Sequence, residues 1–139
     1  MGQNQKQVVV EYDAAEIAWV DPVTGVPCLL GLDAQGLWFV GVGVFEGHPW
    51  YGVVQTGADA AFVGPHGALF CGGLTGIECC DKVDLGDGSW VSFYSERIWW
   101  VALTGVYCKE DEATILAVRM AAIVKDQKGL ADGGWIKVL

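Results

Sequence analysis

The ten residues Ile98-Trp99-Trp100-Val101-Ala102-Leu103-Thr104-Gly105-Val106-Tyr107 constrain the fold more than any other part of the chain. The run is too short to cross a membrane as a helix, and its β-branched and aromatic content suits a pleated strand. It lacks the polar alternation of a strand with one wet face, so it reads as a strand covered on both sides. Trp99 and Trp100 are neighbours and must project to opposite faces, which requires apolar material on each. Ser89 to Tyr94 precedes it across Ser95-Glu96-Arg97, completing a hairpin whose second arm lies inside a sheet.

A second hairpin is written in Cys28 to Leu32 and Leu37 to Val44, joined by Asp33-Ala34-Gln35-Gly36, whose glycine suits a left-handed turn position. Glu46-Gly47-His48-Pro49-Trp50-Tyr51 breaks the strand. Apolar spacing at Val53, Val54, Ala58 and Ala61 suggests a short helix over residues 50–61. Ala68 to Cys71 and Ile77 to Val83 read as further strands around Gly72-Gly73-Leu74-Thr75-Gly76. From Glu110 the period changes to helical: Ile115, Leu116, Val118, Met120, Ala121, Ile123 and Val124 form an apolar stripe. Glu110-Asp111-Glu112 at its start and Lys125 and Lys128 at its end match the helix dipole, and Gly129 marks the stop. Near the start of the chain, Asp13 is placed to cap a short helix over Ala14-Ala15-Glu16-Ile17-Ala18. One domain over residues 1–139 is expected, with residues 1–20 an N-terminal extension or helix and 130–139 a C-terminal tail.

Charge narrows the partners. A formal net charge of −9 would be repelled by a phosphate backbone, so nucleic acid is not expected. No stretch has the length of a spanning helix, and Met1-Gly2-Gln3-Asn4-Gln5-Lys6 has no signal-peptide core, which leads to an expected cytoplasmic location. Myristoylation of Gly2 is disfavoured by Lys6, where the motif needs Ser or Thr.

Catalytic and metal chemistry find little support in the residues. The five cysteines (Cys28, Cys71, Cys79, Cys80, Cys108) have no CxxC spacing and sit in apolar contexts, so they read as small core residues. Only His48 and His66 are on hand to join thiols as zinc ligands or to activate Cys71 as a nucleophile, and both are expected to be solvated loop residues. Gly72-Gly73 with Thr75-Gly76 is followed by no lysine and no helix, so it is a turn and not a phosphate loop. No enzyme activity, metal or cofactor is expected. Seven tryptophans in an acidic domain favour a binding module, because Trp is enriched in interface hot spots.

Gly67-Ala68-Leu69-Phe70-Cys71-Gly72-Gly73, then Thr104-Gly105-Val106-Tyr107 running into the amphipathic helix, together with Leu29 to Trp38, follow an order that resembles the profilins over about residues 26 to 129. The resemblance implies an α+β fold, a central mainly antiparallel sheet flanked by N- and C-terminal helices. It also implies a monomer that binds monomeric actin, as part of the cytoskeleton, through Thr75, Ile77, Arg97, Glu112, Thr114 and Arg119, and proline-rich peptides through Trp38, Trp19 and Tyr12. Several positions depart from that family. Thr75 and Cys80 stand where profilins carry basic residues, and the helix begins with three acids, which removes charge that would meet an acidic actin surface. Two other roles fit parts of the chain. A roadblock- or longin-like scaffold that dimerises and regulates a small GTPase also has the strand-turn-strand start of Leu29 to Val44, and an acidic inhibitor or immunity-type protein follows from the charge.

Overall fold

The computed structural model describes residues 15–32, 36–56, 64–66, 90–107, 109–130 and 134–139. Strands β1 (Ala15–Val20), β2 (Pro27–Leu32), β3 (Trp38–Val44), β5 (Trp90–Ser95) and β6 (Ile98–Tyr107) form one antiparallel sheet in the order β1-β2-β3-β6-β5. Two short strands, β4 (Val53–Gln55) and β7 (Trp135–Lys137), pair as a separate antiparallel ribbon, and helix α1 spans Glu110–Asp126. Both expected hairpins are present. Leu32 pairs with Trp38, with Gly36 at φ 83° in the intervening turn, and Ser95 pairs with Ile98.

The sheet is apolar on both faces because β2, β3 and β6 alternate two sets of apolar residues. One set, with Cys28, Leu30, Val40, Val42, Val44, Trp99, Val101 and Leu103, faces α1 and the ribbon. Helix α1 turns Ala113, Leu116, Ala117, Met120, Ala121 and Val124 onto it, a spacing of three and four residues that keeps them on one side. The ribbon adds Val53, Val54 and Trp135. The indole N–H of Trp99 donates to the Val53 carbonyl at 3.0 Å, and Trp90 meets Trp135 edge-on at 5.5 Å. The other set, with Leu29, Phe39, Phe93, Trp100 and Ala102, forms a second buried cluster on the opposite face. Trp99 and Trp100 therefore do divide between the faces, at 1 % and 8 % exposure.

Glycines in β3 make room for this second cluster. Gly43 stands opposite Trp100, and a Cβ built there would fall on Ile98 Cγ2 and come within 3.2 Å of the Trp100 ring. At Gly41 a Cβ would lie 3.1 Å from that of Ala102.

The expected α+β sandwich with helices at both ends of the chain is corrected by these elements. Among the described residues α1 is the single helix, and the fold is mostly β. Residues 15–18, read as part of a capped helix, belong to β1. Ile17 and Trp19 pack toward the first cluster while Ala18 and Val20 face outward, a period of two. Pairing with β2 and burial of these two side chains outweigh any cap from Asp13, which lies outside the described residues. The helix expected over 50–61 is likewise not formed where it is described. Tyr51 and Gly52 form a turn, with Gly52 at φ 78°, and the β-branched pair Val53-Val54 extends to meet Ile136 and Lys137. Residues 130–139, which had no expected place, supply that partner strand. The strands expected at 68–71 and 77–83 lie outside the described residues.

Replacing Gly43 by Ala should destabilise the protein by about 1–3 kcal/mol, because Ile98 and the Trp100 ring must both move. Gly129→Ala, with open space around its Cα, should stay within about 0.5 kcal/mol of wild type. Urea denaturation of the two variants measures the contrast.

Candidate functional site

The segment between β3 and β4 and the turn between β5 and β6 meet at one end of the sheet. After Val44 the chain makes consecutive turns, with His48 N–H donating to the Phe45 carbonyl (3.1 Å), Tyr51 N–H to His48 (3.0 Å) and Val53 N–H to Trp50 (3.3 Å). Gly47, at φ 104°, permits the first reversal. These turns leave Phe45 53 % exposed at the sheet end while Trp50 is fully buried.

His48 anchors the segment to α1. Its Nε2 lies 2.8 Å from the Val124 carbonyl and its Nδ1 accepts the Trp50 N–H at 3.0 Å, which selects the neutral tautomer protonated at Nε2. Burial lowers its pKa from 6.5, against the opposing pull of the Val124 carbonyl, and nearby Lys137 lowers it further. Both ring nitrogens are engaged, so His48 has no lone pair to spare as a general base. His66 stacks on Trp50 at 5.8 Å, nearly parallel, and its pKa too is lowered by burial. Neither histidine is the solvated loop residue expected from its Gly/Pro context; both are half-buried and pack against Trp50.

Two recesses flank Phe45. One, of about 380 Å³, is lined by Phe45, Glu46, Tyr51, Tyr94 and Arg97. The other, of about 350 Å³, lies toward α1 and is lined by apolar Val26, Pro27, Val44 and Val124 together with Thr24, His48 and Lys125. Phe45 and Glu46 border both. In the first recess Tyr51 and Tyr94 are perpendicular, with ring centres 6.3 Å apart, and Tyr51 lies 6.3 Å from Trp99 beneath. Desolvation, the hydrogen bond with Tyr94 and the charges of Tyr94 and Glu46 raise the Tyr51 pKa. Arg97 closes the rim from the β5–β6 turn, where Glu96 and Arg97 both hold positive φ, 53° and 71°. Two left-handed residues in a two-residue connection are the signature of a type I′ hairpin, here built without glycine.

The other residues expected to bind partners are scattered. Trp19 stands opposite Cys28 on β2 and Trp38 opposite Leu32, four positions apart, or about 13 Å along the strand. Both are half-buried and pack against the first cluster. Tyr12, Thr75 and Ile77 lie outside the described residues. Glu112 and Thr114 are in the first turns of α1, and Thr114 Oγ1 donates back to the Glu110 carbonyl at 2.9 Å; Arg119 is exposed mid-helix. Arg97 precedes β6 and Glu112 follows it, so the ten-residue strand separates them by about 30 Å. The sequence reading passed over Phe45, Glu46, Tyr51 and Tyr94 as binding residues. Their only local signal was the aromatic residues next to the strand breaks at Glu46 and Ser95.

Among the described residues, catalytic groups do not gather. The Cys28 thiol is buried on β2 and its pKa is pushed up to about 12, chiefly by burial and then by the charge of Asp21, so it is no nucleophile. The other four cysteines lie outside the described residues. Asp21 is itself committed, its carboxylate accepting from Thr24 N–H (2.9 Å) and Thr24 Oγ1 (2.7 Å). Among the described residues no three His, Cys, Asp or Glu side chains converge as metal ligands, and no helix is long and apolar enough to cross a membrane.

No protein-family model matches the chain, and no curated protein or solved structure shows significant similarity to it.

Because the folded state holds His48 below its ordinary pKa, the unfolded chain binds the proton more readily near pH 6.5. Stability should be full above that value and fall as pH drops through it. His48→Gln, whose amide can still donate to Val124, should lose stability less steeply between pH 7.5 and 5.5, with His66 supplying the slope that remains. Thermal denaturation across that window, above the carboxylate range, reads the difference.

Proposed function

We propose that this protein is a binding module that takes an extended, proline-rich peptide across Phe45. The observation that carries this reading is the exposed Phe45 bordering two recesses, one of which is walled by the perpendicular Tyr51–Tyr94 pair. A polyproline II segment is already extended and stiff, so it loses little entropy on docking, and flat rings offer it contact area at low side-chain cost. With three residues per turn, such a helix turns two of every three side chains toward a surface, one for each of the recesses. Their volumes are at the lower end of the range for ligand pockets, consistent with a peptide gripped at a few residues. Arg97 offers a donor to the ligand backbone, whose carbonyls are unpaired in that conformation. The expected proline site at Trp38, Trp19 and Tyr12 is a different surface, and peptide-induced shifts at Trp19 or Trp38 would mark it instead.

Monomeric actin, the partner implied by the profilin resemblance, is a second reading and would make the chain a cytoplasmic regulator of filament assembly. It draws on the exposure of Arg97 and Arg119, and it requires one partner to reach both ends of β6.

Titrating the protein with a decaproline peptide, and with a Gly/Ser peptide of equal length, while following backbone amide shifts by NMR tests the groove. Shifts confined to Phe45–Tyr51 and Tyr94–Ile98 are expected with decaproline alone. Absence of shifts at millimolar peptide, or shifts centred on Trp19 or Trp38, would refute the assignment. Tyr94→Ala should weaken binding by about tenfold while leaving the fold intact, since Tyr94 is an exposed edge residue. Arg97→Gly should part stability from binding: relief of a left-handed φ raises stability by about 1 kcal/mol, and loss of the guanidinium weakens the peptide complex. Denaturant midpoints and the same titration check both halves.

A further inference from the structure

The side of α1 that faces away from the sheet is not the polar surface expected of a helix packed on one face. Asp111, Ile115, Val118, Ala122 and Lys125 recur at spacings of four and three and are all exposed, opposite the buried stripe Ala113, Leu116, Ala117, Met120 and Ala121. Ile115 and Val118 keep 47 % and 43 % of their surface in contact with solvent. The stripe has a polarity: acid at the N-terminal end, apolar in the middle, base at the C-terminal end. Val118 lies midway between Asp111 and Lys125, seven residues from each.

We infer that α1 is a homodimerisation surface, on which two copies of this chain pair their helices antiparallel about a twofold axis passing beside Val118. That symmetry follows from the order of the residues. A twofold axis at Val118 places residue 118 against itself, Ile115 beside the partner's Ala122, and Asp111 against the partner's Lys125, with the last two contacts made twice. The spacing of four and three is that of a helix–helix seam, with small Ala122 leaving room for Ile115. Antiparallel pairing also sets each helix N-terminus beside the partner's C-terminus, where the dipoles attract. A parallel pair would instead stack Asp111 on Asp111 and Lys125 on Lys125. A basic partner could neutralise Asp111 and a wholly apolar one could cover Ile115 and Val118, but neither accounts for Lys125 at the matching distance.

The contact is modest. A helix of 17 residues is about 25 Å long, and a single helix pair falls among the smaller protein interfaces. Two chains of net charge −9 also repel one another. The dimer is therefore weak, with a Kd on the order of 0.1 mM. Its consequence is bivalency: each particle would carry two Phe45 grooves, so a ligand with two proline-rich stretches would be held more tightly than one with a single stretch. The dimer itself does not depend on that reading of the groove.

Sedimentation equilibrium of the full chain from 10 µM to 1 mM at 0.15 M salt tests the inference. A monomer–dimer equilibrium is expected in the wild type. Val118→Lys, which brings two like charges together on the axis, should weaken it by at least about tenfold. Asp111→Lys and Lys125→Asp should each weaken it, and the double swap should restore it. Circular dichroism melting shows whether each variant is folded, as expected for exposed positions. A wild type that stays monomeric to 1 mM overturns the proposal. So does a dimer indifferent to Val118→Lys, or a double swap no better than the single changes.

Discussion

The hydrogen bond from the Trp99 indole to the Val53 carbonyl fixes where the ribbon sits on the sheet, a placement that the Trp90–Trp135 contact and the first apolar cluster reinforce. Trp99 sits on an inner strand, cross-paired with Val44 on one side and Tyr94 on the other, and is almost fully buried. Its N–H would be costly to bury unpaired, so the ribbon carbonyl is fixed over one spot on the sheet. With β4 held there, the Phe45–Gly52 segment is tied at both ends, and His48 ties its middle to the last turn of α1. The groove thus stands on a loop with little freedom, which lowers the entropy lost when a ligand docks.

Much of the sheet could be read from the sequence because its strong signals are local. The two hairpins announce themselves by apolar runs around short polar turns, and α1 by its change of period and by acids and a base placed at the correct ends. The misreadings have physical causes. In β1 the alternation of Ile17 and Trp19 covers too few residues to outweigh a plausible helix cap, and only pairing with β2 decides it. The ribbon β4–β7 has three residues per strand, and its partners are far apart in sequence, so neither half carries a pattern of its own.

The site was less legible than the fold. Tryptophan count pointed to a binding surface, but the tryptophans described here are chiefly structural: Trp50, Trp90, Trp99, Trp100 and Trp135 are buried, and Trp19 and Trp38 half-buried. The most exposed rings described are those of Phe45 and Tyr94, next to strand breaks, positions that a hydrophobic pattern assigns to the core. Helix α1 shows the same ambiguity. Ile115 and Val118 were counted in one apolar stripe with Leu116 and Met120, yet they lie on opposite sides of the helix, because residues of both faces were apolar enough to blur the angle between them.

The pairing of Gln55 with Trp135 also sets an order of events during folding. Closing a loop of about 80 residues carries a larger entropy cost than closing either hairpin, and nothing local rewards it in advance. The hairpins and α1 can assemble first, leaving the Trp99 indole and the first apolar cluster partly open until β7 arrives. The apolar surface that Val53, Val54 and Trp135 close is thus the part of the core that depends on the most distant pairing of the ribbon, and any chain in which β7 is undocked presents it to solvent.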